Sequence, residues 1–119
     1  MSFDPSNLTY NTAGLIPCIA QDATNGDVLM MAWMNAEAVA KTLETGKVTY
    51  WSRSRKSFWI KGESSGHVQE LVDLRVDCDQ DCLLALVNQT GPACHTNRRS
   101  CFYTAVRGGE ETEILAPLK

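Results

Sequence analysis

The sequence predicts an α+β domain, a mostly antiparallel β-sheet with a barrel-like core and one main helix. Three observations lead there. Short runs rich in β-formers recur along the chain, separated by glycine, asparagine and aspartate. One segment, about residues 36–45, spaces its apolar residues helically between a capping residue and a glycine. The 119 residues fit one domain around one core.

Taken in order, residues 1–13 are a polar lead-in, and Gly14 opens the ordered part. Leu15 to Gln21 reads as a strand. Asn25-Gly26 then gives a hairpin-turn signal, because both residues accept positive φ. Val28 to Trp33 is the return strand, apolar almost throughout and expected to be buried on both faces, with Met30, Met31 and Met34 as core filler. Asn35 can cap a helix over 36–45, Ala36, Val39, Ala40 and Leu43 form its apolar stripe, and Gly46 stops it. Lys47 to Ser52 and Phe58 to Lys61 read as strands, as does most of Val68 to Val76. Leu83 to Val87 is a buried strand and Phe102 to Val106 the last one. Gly108-Gly109 and the acidic residues after them read as a tail. The expected organisation is a lead-in over 1–13, one domain over 14–107 and a tail over 108–119.

The formal net charge of −3 lacks the electrostatic footprint of a nucleic-acid binder. It leaves room for a small phosphorylated substrate held by a local basic cluster. No apolar run approaches a membrane span, and residues 1–11 lack the apolar core of a signal peptide, so a cytoplasmic location is expected. Five cysteines are too sparse for a disulfide scaffold and, in a reducing compartment, point to metal-binding or catalytic thiols. Cys18, among Leu15, Ile16 and Ile19, reads as a small buried hydrophobe.

Four stretches carry chemistry. Ser52, Arg53, Ser54 and Arg55 suit phosphate oxygens, guanidinium forks and hydroxyls together, although a solvated basic turn has the same composition. Gly62 to His67 is a glycine-punctuated loop that sets Glu63 and His67 beside that turn. His67 is a candidate catalytic imidazole, with a structural histidine as the alternative. Asp77, Asp79 and Asp81 are spaced by two. On an extended chain their carboxylates share one face, with Cys78 on the other, and a hard ion such as Mg²⁺ would relieve their repulsion. A solvated acidic turn is the alternative. Cys78, Cys94 and Cys101 are the thiol set. Three protein ligands with an open fourth position is the catalytic zinc arrangement. On a strand Cys82 would lie about 13 Å from Cys78, too far to share an ion, so it is expected in the core. His95, next to Cys94, is a candidate acid or base for a water molecule at such a site, with a supporting histidine as the alternative.

These strings together resemble one family. Val28-Leu29-Met30-Met31-Ala32-Trp33-Met34-Asn35, Thr49 to Arg55, Trp59 to Gln69, Val76 to Asp81, Ala93 to Thr96 and Ser100 to Tyr103 are similar to the phosphoribosyl-AMP cyclohydrolases of histidine biosynthesis. The resemblance spans about residues 14–106, with no departure at the metal positions. It implies hydrolytic opening of the N1–C6 bond of an N1-phosphoribosylated adenine nucleotide. It implies Mg²⁺ at Asp77, Asp79 and Asp81, and zinc at Cys78, Cys94 and Cys101. It also implies an intertwined homodimer that shares the zinc site, the first cysteine coming from the partner. His95 is expected to manage the water's proton, with His67 as the second candidate. Ser52, Arg53, Ser54, Arg55 and Glu63 are expected to contact substrate. A chain that stops shortly after Val106 is expected to carry this activity alone. Two other functions share parts of the pattern: a zinc-dependent purine nucleotide deaminase, whose H-x-E…P-C-x-x-C signature is missing, and a non-catalytic zinc-stabilised binding module, which would not need three aspartates.

Overall fold

A computed structural model describes residues 2–118. After a single 3-10 turn at Pro5–Asn7, the chain forms β1 (Ile16–Asp22), β2 (Val28–Met34), α1 (Ala36–Thr45), β3 (Thr49–Ser52) and β4 (Ser57–Ile60). Then follow β5 (Gln69–Val76), β6 (Leu83–Gln89), β7 (Thr104–Arg107) and β8 (Glu110–Glu113). The α+β class holds. The main sheet is mixed and open, with strand order β2-β1-β6-β5, and two separate hairpins, β3–β4 and β7–β8, accompany it. No closed barrel forms among the described residues. β1 and β6 run parallel, with Cys18 opposite Leu83 and Asp22 opposite Val87. None of the described helices is long and apolar enough to cross a membrane.

The helix forms as its caps require. The Asn35 side chain accepts the Ala38 N–H at 2.8 Å, and Gly46 takes the left-handed conformation that closes the last turn. Its inner face, Ala38, Val39 and Thr42, is fully buried. Thr42 Oγ1 donates to the Ala38 carbonyl and accepts the Thr49 N–H, which ties the helix to the start of β3. The core gathers Ile16, Cys18, Leu29, Met34, Val39, Tyr50 and Leu83 between sheet, helix and hairpin.

Three expectations change. β2 is an edge strand covered on one face, so Val28 (46% exposed) and Met31 (43% exposed) face outward while Leu29, Met30 and Met34 are buried. Asp77 to Cys82 is not extended. The Asp77 N–H donates to the Cys82 carbonyl, the Gln80 N–H donates to the Asp77 carbonyl, and Gln80 has φ 63°, so the segment is a tight turn joining β5 to β6. The period-2 alternation that separated cysteine from aspartates therefore does not apply, nor does the extended distance between Cys78 and Cys82. Cys82 is half-buried rather than in the core. Finally, Gly108 and Gly109, both at positive φ, close a two-residue hairpin turn, and the acidic stretch after them pairs with β7 as β8.

Candidate functional site

The β3–β4 hairpin, the loop 61–67 and the loop 90–101 enclose a cleft of about 460 Å³. Arg55 and Trp59 come from the hairpin, Glu63 and His67 from the first loop, and Cys94 and His95 from the second. Sequence reading had selected five of these six residues without any way to see that they meet. A second cleft, of about 610 Å³, lies on the other side of Arg55 and Trp59 and is lined by Met31, Trp33, Ser52, Arg53 and Ser54. The two share a wall, and every candidate substrate contact lines one or the other.

The hairpin shapes this wall. Ser52 pairs with Ser57 across it, so Arg53 to Lys56 form the turn, with Lys56 at φ 52°. The Arg55 N–H donates to Ser52 Oγ at 3.3 Å. The Arg53 guanidinium lies 5.1 Å above the Trp33 ring of β2, a contact that stacks the cation while leaving its in-plane donors open. Arg53, Ser54 and Arg55 are exposed.

Lys61 and Trp59 were not singled out from the sequence, yet both line the first cleft. The signal was present: strand alternation puts residues 59 and 61 on one face of β4 and its continuation. The Lys61 ammonium donates to the Ala93 carbonyl and lies 5.5 Å above Trp59. Burial lowers its pKa, while the thiols of Cys101 and Cys94 act in the opposite direction.

Cys94 and Cys101 form a side-chain pair. Burial opposes the Cys94 thiolate, but hydrogen bonds from the Thr96 side chain and backbone and from Cys101, with the Lys61 charge nearby, bring its pKa below the ordinary thiol value. Thr96 Oγ1 donates to Cys94 Sγ at 3.0 Å. Cys101 as a residue is exposed, but its thiol is partly covered; that desolvation and the Cys94 sulfur push its pKa up to about 11. Two sulfurs thus lie against each other, with the proton held less tightly on Cys94 than on Cys101, a donor pair that suits a soft cation.

The loop carrying the pair is latched at both flanks. The Ala93 and Cys94 N–H groups donate to the Arg99 and Arg98 carbonyls, closing it on itself. Arg99 bridges Asp22 and Asp27 at the β1–β2 turn. Arg98 donates to the Leu115 carbonyl and to Glu113, and stacks 4.0 Å from the Tyr103 ring. Ser100 Oγ donates to the Val28 carbonyl and the Cys101 N–H to the Leu29 carbonyl.

The acidic turn lies elsewhere. Asp77, Cys78 and Asp79 are exposed, and their ligand atoms lie within 4.8 Å of one another. Asp77 and Asp81 share a hydrogen bond, which raises the Asp81 pKa, with desolvation and the Asp77 and Asp79 charges adding to it. Carboxylates this close suit a hard cation, which would remove their repulsion. This turn closes one end of the β5–β6 hairpin, where Val76 pairs with Leu83; the chain leading to Cys94 leaves from the other end, after Gln69 pairs with Gln89. At ordinary strand rise the two ends are about 20 Å apart. Among the described residues the Cys94–Cys101 pair gathers no third histidine, cysteine or carboxylate donor.

The family model of phosphoribosyl-AMP cyclohydrolase matches residues 30–103. Relatives named phosphoribosyl-AMP cyclohydrolase include the protein of Ruegeria pomeroyi, 80% identical over 99% of both chains. Those of Dinoroseobacter shibae and Cereibacter sphaeroides strain KD131 are 74% and 70% identical, again over 99% of both chains. The matched segment contains both clefts' walls, the thiol pair and the acidic turn.

Proposed function

The chain belongs to the phosphoribosyl-AMP cyclohydrolase family, and on that premise we propose that the first cleft is where it opens the adenine ring of phosphoribosyl-AMP. The protein is a hydrolase of histidine biosynthesis. One observation supports this cleft above all: Arg55, Glu63, His67, Cys94 and His95, from three separate segments, line the same cavity.

The reaction adds water across C6 of a ring made electron-poor by the ribosyl group on N1. The C6–N1 bond breaks, the water oxygen becomes the carboxamide oxygen, and the exocyclic nitrogen stays. Two protons leave the attacking oxygen: one ends on the exocyclic imine nitrogen, which becomes the carboxamide NH2, and one on the released N1. His95, beside Cys94 and exposed to the cleft, holds and passes that proton, with His67 on the facing loop as the second base. Ser52, Arg53, Ser54 and Arg55 hold phosphate oxygens, and the Trp33 ring under Arg53 fixes one guanidinium in advance of substrate. Glu63 contacts the ribose or ring edge.

Cys94 and Cys101 would hold zinc, with Cys78 of a second copy as the third ligand; Asp77, Asp79 and Asp81 would hold Mg²⁺. When bound, zinc supplies a Lewis acid that brings water toward a neutral pKa. The two-copy arrangement is supported by the separation of acidic turn and thiol pair at opposite ends of β5–β6. A homodimer follows, since each site is short of one thiolate until a second chain supplies it.

Ring opening of phosphoribosyl-AMP, followed for wild type and Cys94→Ser with metal content measured alongside, tests this. Cys94→Ser should lose zinc and activity together. Full activity in zinc-free Cys94→Ser protein would rule the reading out.

A further inference from the structure

His67 stands on a loop that ought to be loose, exposed and rich in glycine and serine, yet its surroundings fix it. A Cβ built on Gly91 would come 2.7 Å from His67 Cδ2 and 3.2 Å from Nε2, so the imidazole packs edge-on against the bare Cα of Gly91. A Cβ on Gly62 would come 2.3 Å from the His67 carbonyl carbon and the Val68 nitrogen, so the backbone of His67 rests on a second glycine. Gln89 Nε2 donates to the His67 carbonyl at 3.2 Å and to the Thr90 carbonyl at 3.0 Å. Gln89 Oε1 in turn accepts from Gln69 Nε2 at 2.9 Å, and Gln69 Oε1 accepts the Tyr50 hydroxyl at 2.7 Å. Tyr50 and Gln69 are fully buried. A line of hydrogen bonds therefore runs from the packed core, through two amides, to the backbone of a cleft residue.

We propose that Gly91 and Gln89 are positioning residues for ring opening, holding the His67 imidazole in one orientation against the cleft. This rests on the reading of the first cleft as the reaction site. The argument is steric and entropic. An exposed histidine samples several staggered rotamers. Here the missing Cβ of Gly91 leaves open the space that the imidazole fills in its present orientation, and the carbonyl is tied so that the ring's pivot does not drift. A proton-transfer group displaced by about 1 Å loses on the order of a hundredfold in rate. The two glycines differ in kind: at Gly62 the obstacle is backbone, which cannot move aside, whereas at Gly91 it is a side chain, which can. An alanine at 91 should therefore rotate the imidazole away and leave the fold standing.

The test is a double-mutant cycle on the ring-opening reaction, with kcat and KM measured for Gly91→Ala, His67→Ala and the pair. Gly91→Ala should lower kcat about tenfold to a hundredfold with KM changed less than about twofold, and should cost almost nothing further in the His67→Ala background. Gly91 has φ +68°, so alanine also strains the backbone. Gly14→Ala controls for this, because Gly14 has φ +76° with nothing within 4 Å of a Cβ, and it should keep wild-type kcat. Gln89→Leu removes the carbonyl anchor without touching the imidazole and should lose about threefold to tenfold in kcat, again only when His67 is present. Should Gly91→Ala fail to fold, Gln89→Leu carries the same cycle. Equal losses in both backgrounds, no loss from either variant, or His67→Ala with wild-type kcat would each overturn the proposal. A wild-type protein unable to open the ring would instead overturn the reading beneath it.

Discussion

Arg99 and Arg75 each pair with an aspartate, in settings that predict different energies. The Asp22 side chain is 9% exposed and its Arg99 partner 34%, whereas Arg75 and Asp73 are 62% and 52% exposed. The perturbation is a pair of double-mutant cycles: Arg99→Met with Asp22→Asn, and Arg75→Met with Asp73→Asn. The exposed pair is screened by solvent and should couple by about 0.5 kcal/mol or less. A charge-assisted hydrogen bond in a covered site is worth about 1.5–3 kcal/mol. Two features reduce that here. Arg99 is one-third exposed, and the Thr24 and Asn25 amides still hold Asp22 when Arg99 is gone, so the carboxylate is not orphaned. The expected Arg99–Asp22 coupling is therefore about 1–2 kcal/mol. At roughly 2.1 cal/mol/K per residue, this moves the melting midpoint of a chain this long by about 4–8 °C. Urea unfolding at a fixed protein concentration measures it, with unchanged m-values as the check on two-state behaviour. The Thr24 amide is the main cause that lowers the Asp22 pKa; burial opposes it and Arg99 assists it. A carboxylate with a lowered pKa contributes stability above its unfolded value and loses it as pH falls through the folded value. The coupling should thus persist from neutral pH to below pH 3.8. A coupling no larger than that of Arg75–Asp73 would refute the claim that this latch, rather than surface charge in general, holds the thiol loop to the β1–β2 turn.

Three other outcomes are expected. Arg53→Ala and Arg55→Ala should raise KM for phosphoribosyl-AMP roughly tenfold each with less effect on kcat, and unchanged KM in steady-state assays would remove these residues from phosphate binding. Burial pushes the Cys18 thiol to about 12, above its ordinary value of 9.0, so its contribution is intact below pH 9.0 and lost as pH rises toward 12. Denaturant titrations at stepped alkaline pH should show Cys18→Ala losing less stability over that window than wild type, by up to about 4 kcal/mol; parallel curves would contradict it. Asn35→Ala removes the helix cap and should cost about 1 kcal/mol, read as a shift in urea midpoint, whereas a shift below about 0.3 kcal/mol would mean the cap bond is replaced by water.

What could be read from the sequence was local. The helix bounds and both caps follow from Asn35 and Gly46, but the expected apolar stripe does not mark the buried face: Ala38, Val39 and Thr42 are buried, whereas of the stripe Ala40 and Leu43 are exposed and only Val39 is buried. The hairpin around Asn25-Gly26 and the buried strand at Leu83 to Val87 follow from turn chemistry and an apolar run. The acidic stretch was misread because aspartates spaced by two fit a strand's period as well as a turn's composition. Asp-Gln-Asp is turn-forming material, and the backbone resolved the ambiguity with Gln80 in the left-handed region. β8 escaped notice because Glu110–Glu113 is exposed at every position, so no burial pattern marks it. The parallel pairing of β1 with β6, and the reach of Arg99 back to Asp22, join segments far apart in sequence, and no periodicity encodes such a contact. The site residues were legible by type; that Arg55, Glu63, His67, Cys94 and His95 share a cleft depends on three loops meeting, which only the fold supplies.

The parallel β1–β6 ladder also sets an order on synthesis. β1 needs β6 on one side, and β2, α1, β3, β4 and β5 all lie between them in the chain. At translation rates of about 5–20 residues per second, the nascent β1–β2 hairpin waits for several seconds with one β1 edge unpaired. Contacts this distant also place the entropy of loop closure before the gain from pairing, which slows folding. The 90–101 loop follows β6 in the chain, so the thiol pair can form only once every strand of the sheet it is latched to has been synthesised.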